Sequence, residues 1–146
     1  MDIEYDSLRL KNQLCFPIYL CSKEIIRKYS PLLKKLDLTY TQYIVMMYFW
    51  ERKTSNVREV SKSLMLDSST LTPLLKKLEK KGYITRARSS VDERNLNITI
   101  TDKGLKLQEK ALNVPREIGK CLNLSMKEAE TLYNLMYKIL INIERE

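Results

Sequence analysis

Cys15 stands in the run Asn12-Gln13-Leu14-Cys15-Phe16, with the phenol of Tyr19 one helical turn further on and those of Tyr29 and Tyr40 later in the chain. Hydroxyl donors around a sulfur favour its thiolate, and the thiolate is the form that peroxides oxidise. A cysteine on a mixed helix also serves as a small buried hydrophobe, and the residues alone leave both readings open. A second set of groups suits a polyanion. Ser68, Ser69, Thr70, Thr72, Lys76 and Lys77 are short hydroxyls followed by lysines, and Arg86 and Arg88 follow on an alternating run. Asp92 and Arg94 lie two apart, so in an extended tip they point the same way. There the carboxylate holds the guanidinium straight for insertion into a narrow groove. The chain has no histidine, and no Ser/His/Asp or metal-ligand cluster can be assembled from it. A thiol peroxidase turning over at Cys15 is therefore disfavoured, and no catalytic residue, metal or cofactor is expected.

The elements that must position these groups are legible from periodicity and caps. Leu71, Leu74, Leu75 and Leu78 fall at i, i+3, i+4 and i+7, one apolar stripe of a helix. Asp67, Ser68 and Ser69 offer N-cap oxygens before it, Pro73 is read as close to its first turn, and Gly82 after Lys80 and Lys81 is its stop. Asn56 with Glu59 caps a shorter helix carrying Val57, Val60 and Leu64. Alternating runs over Ile84–Arg88 and Leu96–Ile100 predict two strands joined by a charged loop from Ser89 to Arg94. Two short helices followed by a basic-tipped hairpin predict a winged helix-turn-helix over residues 38–104. Its second helix would enter the major groove and its wing the flanking minor groove. The competing reading is an ordinary α+β core with solvated lysines.

Upstream, a helical pattern from Leu8 through Tyr29 is interrupted by Pro17, which predicts a kink beside Cys15. Ser30-Pro31 is read as opening a short segment that ends near Leu38. Thr39 with Gln42 forms a capping box before a helix whose apolar face includes Tyr43, Ile44, Met47 and Trp50; Lys53-Thr54-Ser55 is read as a loop. Downstream, Thr101 caps a helix expected to run to a break at Pro115. Ser125 with Glu128 opens a last helix carrying Ala129, Leu132, Met136, Ile139, Leu140 and Ile143 on one side. The terminal segments, 1–37 and 105–146, are expected to pair across a two-fold axis as dimerisation helices, in a chain read as one domain over 1–146.

Composition agrees with that outline. A net charge of +8 suits a nucleic-acid partner, because each phosphate neutralised releases counterions. Three glycines and four prolines leave little linker and much helix. No signal-peptide pattern and no transmembrane run are visible, and three unpatterned cysteines point to a reducing cytoplasm.

The runs Lys11-Asn-Gln-Leu-Cys-Phe (to Phe16), Leu38-Thr-Tyr-Thr-Gln-Tyr (to Tyr43), Leu66-Asp-Ser-Ser-Thr-Leu-Thr-Pro-Leu-Leu-Lys (to Lys76) and Asp92-Glu-Arg (to Arg94) resemble the MarR family of winged-helix repressors. Within it, the cysteine block resembles the organic-hydroperoxide-sensing OhrR group. The resemblance implies a homodimeric repressor on a pseudo-palindromic duplex, mainly α with a small β-hairpin wing. It implies that Cys15 forms a sulfenic acid with organic hydroperoxide, with Tyr29 and Tyr40 bonded to it from the other subunit and Tyr19 nearby. It implies that Arg94, held by Asp92, enters the minor groove. Oxidation would then release DNA, through a mixed disulfide with a small thiol or through an intersubunit disulfide to Cys121. Cys21 is read as packing. Pro17 departs from the family pattern. A repressor of the same fold released by a small aromatic ligand, with Cys15 silent, is the alternative.

Overall fold

A computed structural model of the chain describes residues 3–91 and 96–144. After two short 3-10 turns, Ile3–Leu8 and Leu10–Asn12, come α1 (Cys15–Lys34), α2 (Tyr40–Arg52), β1 (Thr54–Asn56), α3 (Val57–Leu64) and α4 (Ser68–Lys80). The hairpin β2 (Ile84–Arg88) and β3 (Leu96–Ile100) follows, then α5 (Asp102–Ala111), α6 (Val114–Leu122) and α7 (Met126–Glu144). The chain divides into two units, residues 1–114 and 115–146.

In the first unit the core is built by α2, α3, α4 and the sheet. Val45, Met46, Phe49, Val60, Leu71, Leu75, Leu78, Ile84 and Ile98 are fully enclosed. The stripe predicted for α4 is the stripe that is buried, Leu71, Leu74, Leu75 and Leu78. Each such side chain contributes about 1.5–3 kcal/mol by leaving water. The three strands run antiparallel in the order β1-β3-β2, with Thr54 opposite Thr99 on one side of β3 and Ile84 opposite Ile100 on the other. Trp50 Nε1 donates to the Gly104 carbonyl at 2.9 Å, tying α2 to the start of α5. The start of α5 also lies against the entry to β2, which needs a glycine there: a Cβ at Gly104 would lie 2.3 Å from the Tyr83 carbonyl oxygen.

The caps fall where expected. The Thr39 side chain accepts from Gln42 N–H while Gln42 Oε1 accepts from Thr39 N–H. Asn56, Asp67 and Thr101 each accept from the N–H three residues on. Gly82 ends the α4 region at φ 80°, the left-handed conformation that glycine adopts without strain.

Four expectations are corrected. Pro17 does not kink a running helix. It is the third residue of α1, where backbone N–H groups have no intrahelical acceptor in any case. Pro31 opens no new segment; α1 continues past it to Lys34, forfeiting one ladder bond on an exposed stretch. Pro73 likewise sits inside α4 rather than in its first turn, with its ring exposed. Thr54 and Ser55, read as part of a loop over 53–55, pair with β3 together with the cap residue Asn56 as β1, because the free edge of β3 supplies a partner. Two smaller differences concern helix faces and ends. The buried face of α2 is Gln42, Tyr43, Val45, Met46, Phe49 and Trp50, with Ile44 half-buried and Met47 exposed. The break before α6 falls at residues 112–113, and Pro115 belongs to the first turn of α6.

In the second unit, Ser125 and Glu128 form the expected reciprocal cap at 2.9 and 3.2 Å. No described residue of α7 is buried, and Leu132 and Ile143 are 45% and 61% exposed. Among the described residues no helix is long and apolar enough to cross a membrane.

Candidate nucleic-acid interface and thiol site

The outward face of α4 carries Ser68, Ser69, Thr70, Thr72, Lys76 and Lys77, all exposed. Its leading end is organised by Asp67. The carboxylate accepts from Ser69 Oγ at 2.6 Å and from Thr70 N–H at 2.8 Å. Those bonds, Ser69's hydroxyl foremost, hold the Asp67 carboxyl below the usual carboxylate range. Ser69 thus serves the cap as well as the surface. The dipole of α4 adds a positive leading end, the combination that suits a phosphate.

On β2, Arg88 is exposed. Arg86 is not offered to solvent in the same way: its side chain is 18% exposed and its guanidinium meets Glu79 Oε1 at 3.0 Å. Glu79 Oε2 also accepts the Arg86 backbone N–H at 3.1 Å, so one carboxylate near the end of α4 holds β2 at two points. Arg86 in turn holds the Glu79 carboxyl below its ordinary range. Glu79 escaped the sequence reading, since no spacing rule links a helix residue to a strand seven positions on. Asp92 and Arg94 lie outside the described residues.

Cys15 is the first residue of α1, exposed, and among the described residues none donates a hydrogen bond to its sulfur. Tyr19, one turn on, is 60% exposed. Tyr29 lies fourteen positions further along the same helix, about 21 Å at roughly 1.5 Å per residue, too far for its phenol to touch Cys15 of its own chain. Instead Tyr29 packs on Tyr40 with ring centroids 4.9 Å apart. Tyr43, which the sequence reading placed only in the core, joins them at 5.9 Å from Tyr29 and 6.5 Å from Tyr40. Its i+3 spacing from Tyr40 was the available signal. Burial, then the neighbouring phenols, raises Tyr29, and burial followed by Tyr40 raises Tyr43, so both stay O–H donors at neutral pH. A single chain therefore presents the thiol and the phenol cluster apart. Cys21 is exposed rather than packed, and Cys121, in the second unit, is exposed too.

A winged hairpin after a capped, lysine-bearing helix is the arrangement shared by a large class of regulators, and the family model described as Transcriptional regulator SarA/Rot matches residues 27–111, more than half of the chain. The chain belongs to the SarA/Rot family of transcriptional regulators. It is 44% identical over 135 residues to the organic hydroperoxide resistance transcriptional regulator of Bacillus subtilis (strain 168), covering 92% of this chain and 90% of that protein. It is 45% identical over 125 residues to the HTH-type transcriptional regulator SarZ of Staphylococcus aureus (strain USA300), covering 86% and 84%. Among solved structures, reduced AbfR bound to DNA aligns with a TM-score of 0.82 at 34% identity over 98% of both chains. These relatives are winged-helix regulators of MarR type, and so is this chain. In that fold α4 is the second helix of the helix-turn-helix and β2–β3 the wing hairpin.

Proposed function

We propose that this SarA/Rot-family regulator is a dimeric, DNA-binding repressor of the cytoplasm that releases its operator when Cys15 is oxidised by an organic hydroperoxide. The observation that carries the reading is the exposed Cys15 thiol at the head of α1, in a chain 44% identical to an organic hydroperoxide resistance regulator. AbfR, similar over nearly its whole length, is known in reduced, overoxidised and disulfide-formed states, which supports a redox-active thiol in this class.

The Cys15 thiolate attacks one peroxide oxygen; the S–O bond forms, the O–O bond breaks, and the alkoxide leaves and takes up a proton as an alcohol. Sulfur is oxidised to a sulfenic acid and the peroxide is reduced. A small thiol then condenses with it, forming a mixed disulfide and water. In a second route Cys121 of the other subunit supplies that thiol.

The separation of Cys15 from Tyr29 within one chain supports a site completed between subunits, where Tyr29 and Tyr40 arrive from the second copy and Tyr19 stands beside the sulfur. The exposed apolar residues of α7 and the amino-terminal turns support their use as the dimer contact. Two copies of α4 would then meet half-sites about 34 Å apart, Ser68, Ser69, Thr70 and Thr72 toward the groove and Lys76, Lys77 and Arg88 toward phosphates. Arg94, steadied by Asp92, would enter the flanking minor groove, and Arg86 would act by seating the wing through Glu79. Oxidation replaces an anionic acceptor with a bulkier adduct, breaks the phenol contacts and shifts the spacing of the two recognition helices.

The test is a titration of the reduced protein with cumene hydroperoxide on a duplex selected by that protein from a random pool, beside Cys15→Ser. Loss of binding in the wild type alone, restored by dithiothreitol, is the expected outcome; equal behaviour of the two proteins overturns it. Cys121→Ser on a non-reducing gel assigns the second thiol. One observation favours the alternative, release by a small aromatic ligand. A cleft of about 480 Å³ lies beside Tyr40, lined also by Ile26, Ser30, Lys34 and Lys77. Release of DNA by salicylate from Cys15→Ser would select it.

A further inference from the structure

The recognition helix is fastened to the α1–α2 turn by one side chain. Lys81 is the C-cap residue of α4, and its ammonium group donates to the Asp37 carbonyl and to Gln42 Oε1, the latter at 3.3 Å, and lies 3.4 Å from Asp37 Oδ2. An ammonium group has three donors, and here it meets three acceptors on one short segment. That segment is itself rigid. Asp37 adopts a left-handed φ of 55° that aims its carbonyl, and Leu38 N–H is bonded back to Leu33. Gln42 is 4% exposed, and its Oε1 also accepts the Thr39 N–H at 3.0 Å, so one amide oxygen joins the cap of α2 to the end of α4. Tyr40 is the next residue after Thr39 and packs on Tyr29. On the other side, the Lys81 carbonyl accepts Lys103 Nζ of α5 at 2.8 Å. Among the described residues the neighbouring Lys34 and Lys77 make no such side-chain bonds, although they line the same cleft.

We propose that Lys81 is the positioning residue that couples the Tyr29–Tyr40 cluster to the recognition helix. Apolar packing between helices is non-directional and lets one element slide past another. Two charge-assisted hydrogen bonds and an ion pair to a fixed turn give direction, so a displacement of Tyr40 carries Thr39 and Gln42 with it and draws the end of α4 along. The leucine stripe keeps α4 seated whether or not Lys81 is bonded. Lys81 therefore sets the response to the sensor rather than the affinity in the resting state. The trigger, though not the coupling, rests on the oxidation of Cys15 proposed above.

The experiment compares wild type, Lys81→Met, Lys81→Arg and Asp37→Asn for DNA affinity before and after complete oxidation, with loss of the Cys15 thiol followed by mass spectrometry. Wild type is expected to lose affinity by about tenfold or more, within the range of about 5- to 150-fold typical of allosteric coupling. Lys81→Met is expected to bind within about threefold of wild type when reduced and to respond by less than about threefold when its thiol is equally oxidised. Lys81→Arg restores the response. A Lys81→Met protein that loses affinity by the wild-type factor overturns the proposal. Asp37→Asn removes only the ion pair and leaves both hydrogen bonds of Lys81, so it is expected to keep most of the response; Lys81→Gln is read in place of Lys81→Met if the latter does not fold. If wild type itself ignores the oxidant, the redox reading fails. Lys81 is then judged by a Tyr40→Ala/Lys81→Met cycle on the reduced protein, where non-additivity above about fivefold supports coupling and additivity within about twofold overturns it.

Discussion

Helices α4 and α7 carry the same kind of apolar pattern and meet opposite fates. In α4 the leucines at 71, 74, 75 and 78 are all buried in their own chain, beneath a polar outer face. In α7 the stripe from Ala129 to Ile143 has no buried member, although its N-terminal cap is complete. Periodicity and capping thus fix that a helix forms and which side is apolar; they do not say what covers that side. For α4 the cover is the rest of the winged unit. For α7 the reading proposed above supplies a second copy.

The largest expected effect separates those two covers. Leu132→Glu with Ile143→Glu should convert a dimer to a monomer in sedimentation equilibrium and weaken DNA binding by about 100-fold or more, since two half-sites are no longer engaged together. The thermal transition of the winged unit should persist. A variant that stays dimeric would show that α7 is covered in some other way. The corresponding cut in α4, Leu75→Ala, should cost about 2–5 kcal/mol of unfolding free energy by denaturant titration, whatever the protein concentration. Next comes Gly104→Ala, whose Cβ meets backbone 2.3 Å away and must displace the α5 start or the Tyr83 strand entry. A loss of about 1–3 kcal/mol is expected, with a change in Trp50 fluorescence as its bond to the Gly104 carbonyl is disturbed.

Smaller effects sharpen the comparison at the helix ends. Lys76→Ala should lower the slope of log affinity against log salt by about one without changing the preferred sequence, as a phosphate contact does. The Asp67 and Glu128 carboxyls are both held below the ordinary carboxylate range by their cap bonds, chiefly from Ser69 in one case and from the Ser125 N–H in the other. A depressed carboxyl pKa gives stability that is present above the unfolded value, roughly pH 4, and lost as pH falls through the folded value. Acid unfolding should therefore begin at higher pH in Asp67→Asn and in Glu128→Gln, while stability between roughly pH 6 and 8 stays flat with pH in all three proteins. The shift in Asp67→Asn should appear in the winged unit, and that in Glu128→Gln in signals from α7.

What the sequence determined by itself is local. The Thr39–Gln42 box, the caps at Asn56, Asp67, Thr101 and Ser125, the bounds of β2 and β3 and the stripe of α4 each depend on residues within a turn or two of one another, so spacing alone carries them. The exposed hydroxyls and lysines of α4 were legible for the same reason: they are what a known stripe leaves outside. Tertiary structure decided the rest. A proline costs a donor, but at Pro17 and Pro115 that donor falls in the first turn of a helix and has no acceptor to lose, while at Pro31 α1 forfeits one bond and continues. Residues 54–56 carry no alternation and became a strand because β3 offered an edge. Glu79 found Arg86, and Lys81 found Asp37 and Gln42, across separations that no periodicity encodes. The surroundings of Cys15 go one step further: fourteen positions along one continuous helix keep Tyr29 away from it. A thiol reads as reactive from its neighbours in space, and those neighbours are set by how chains pack.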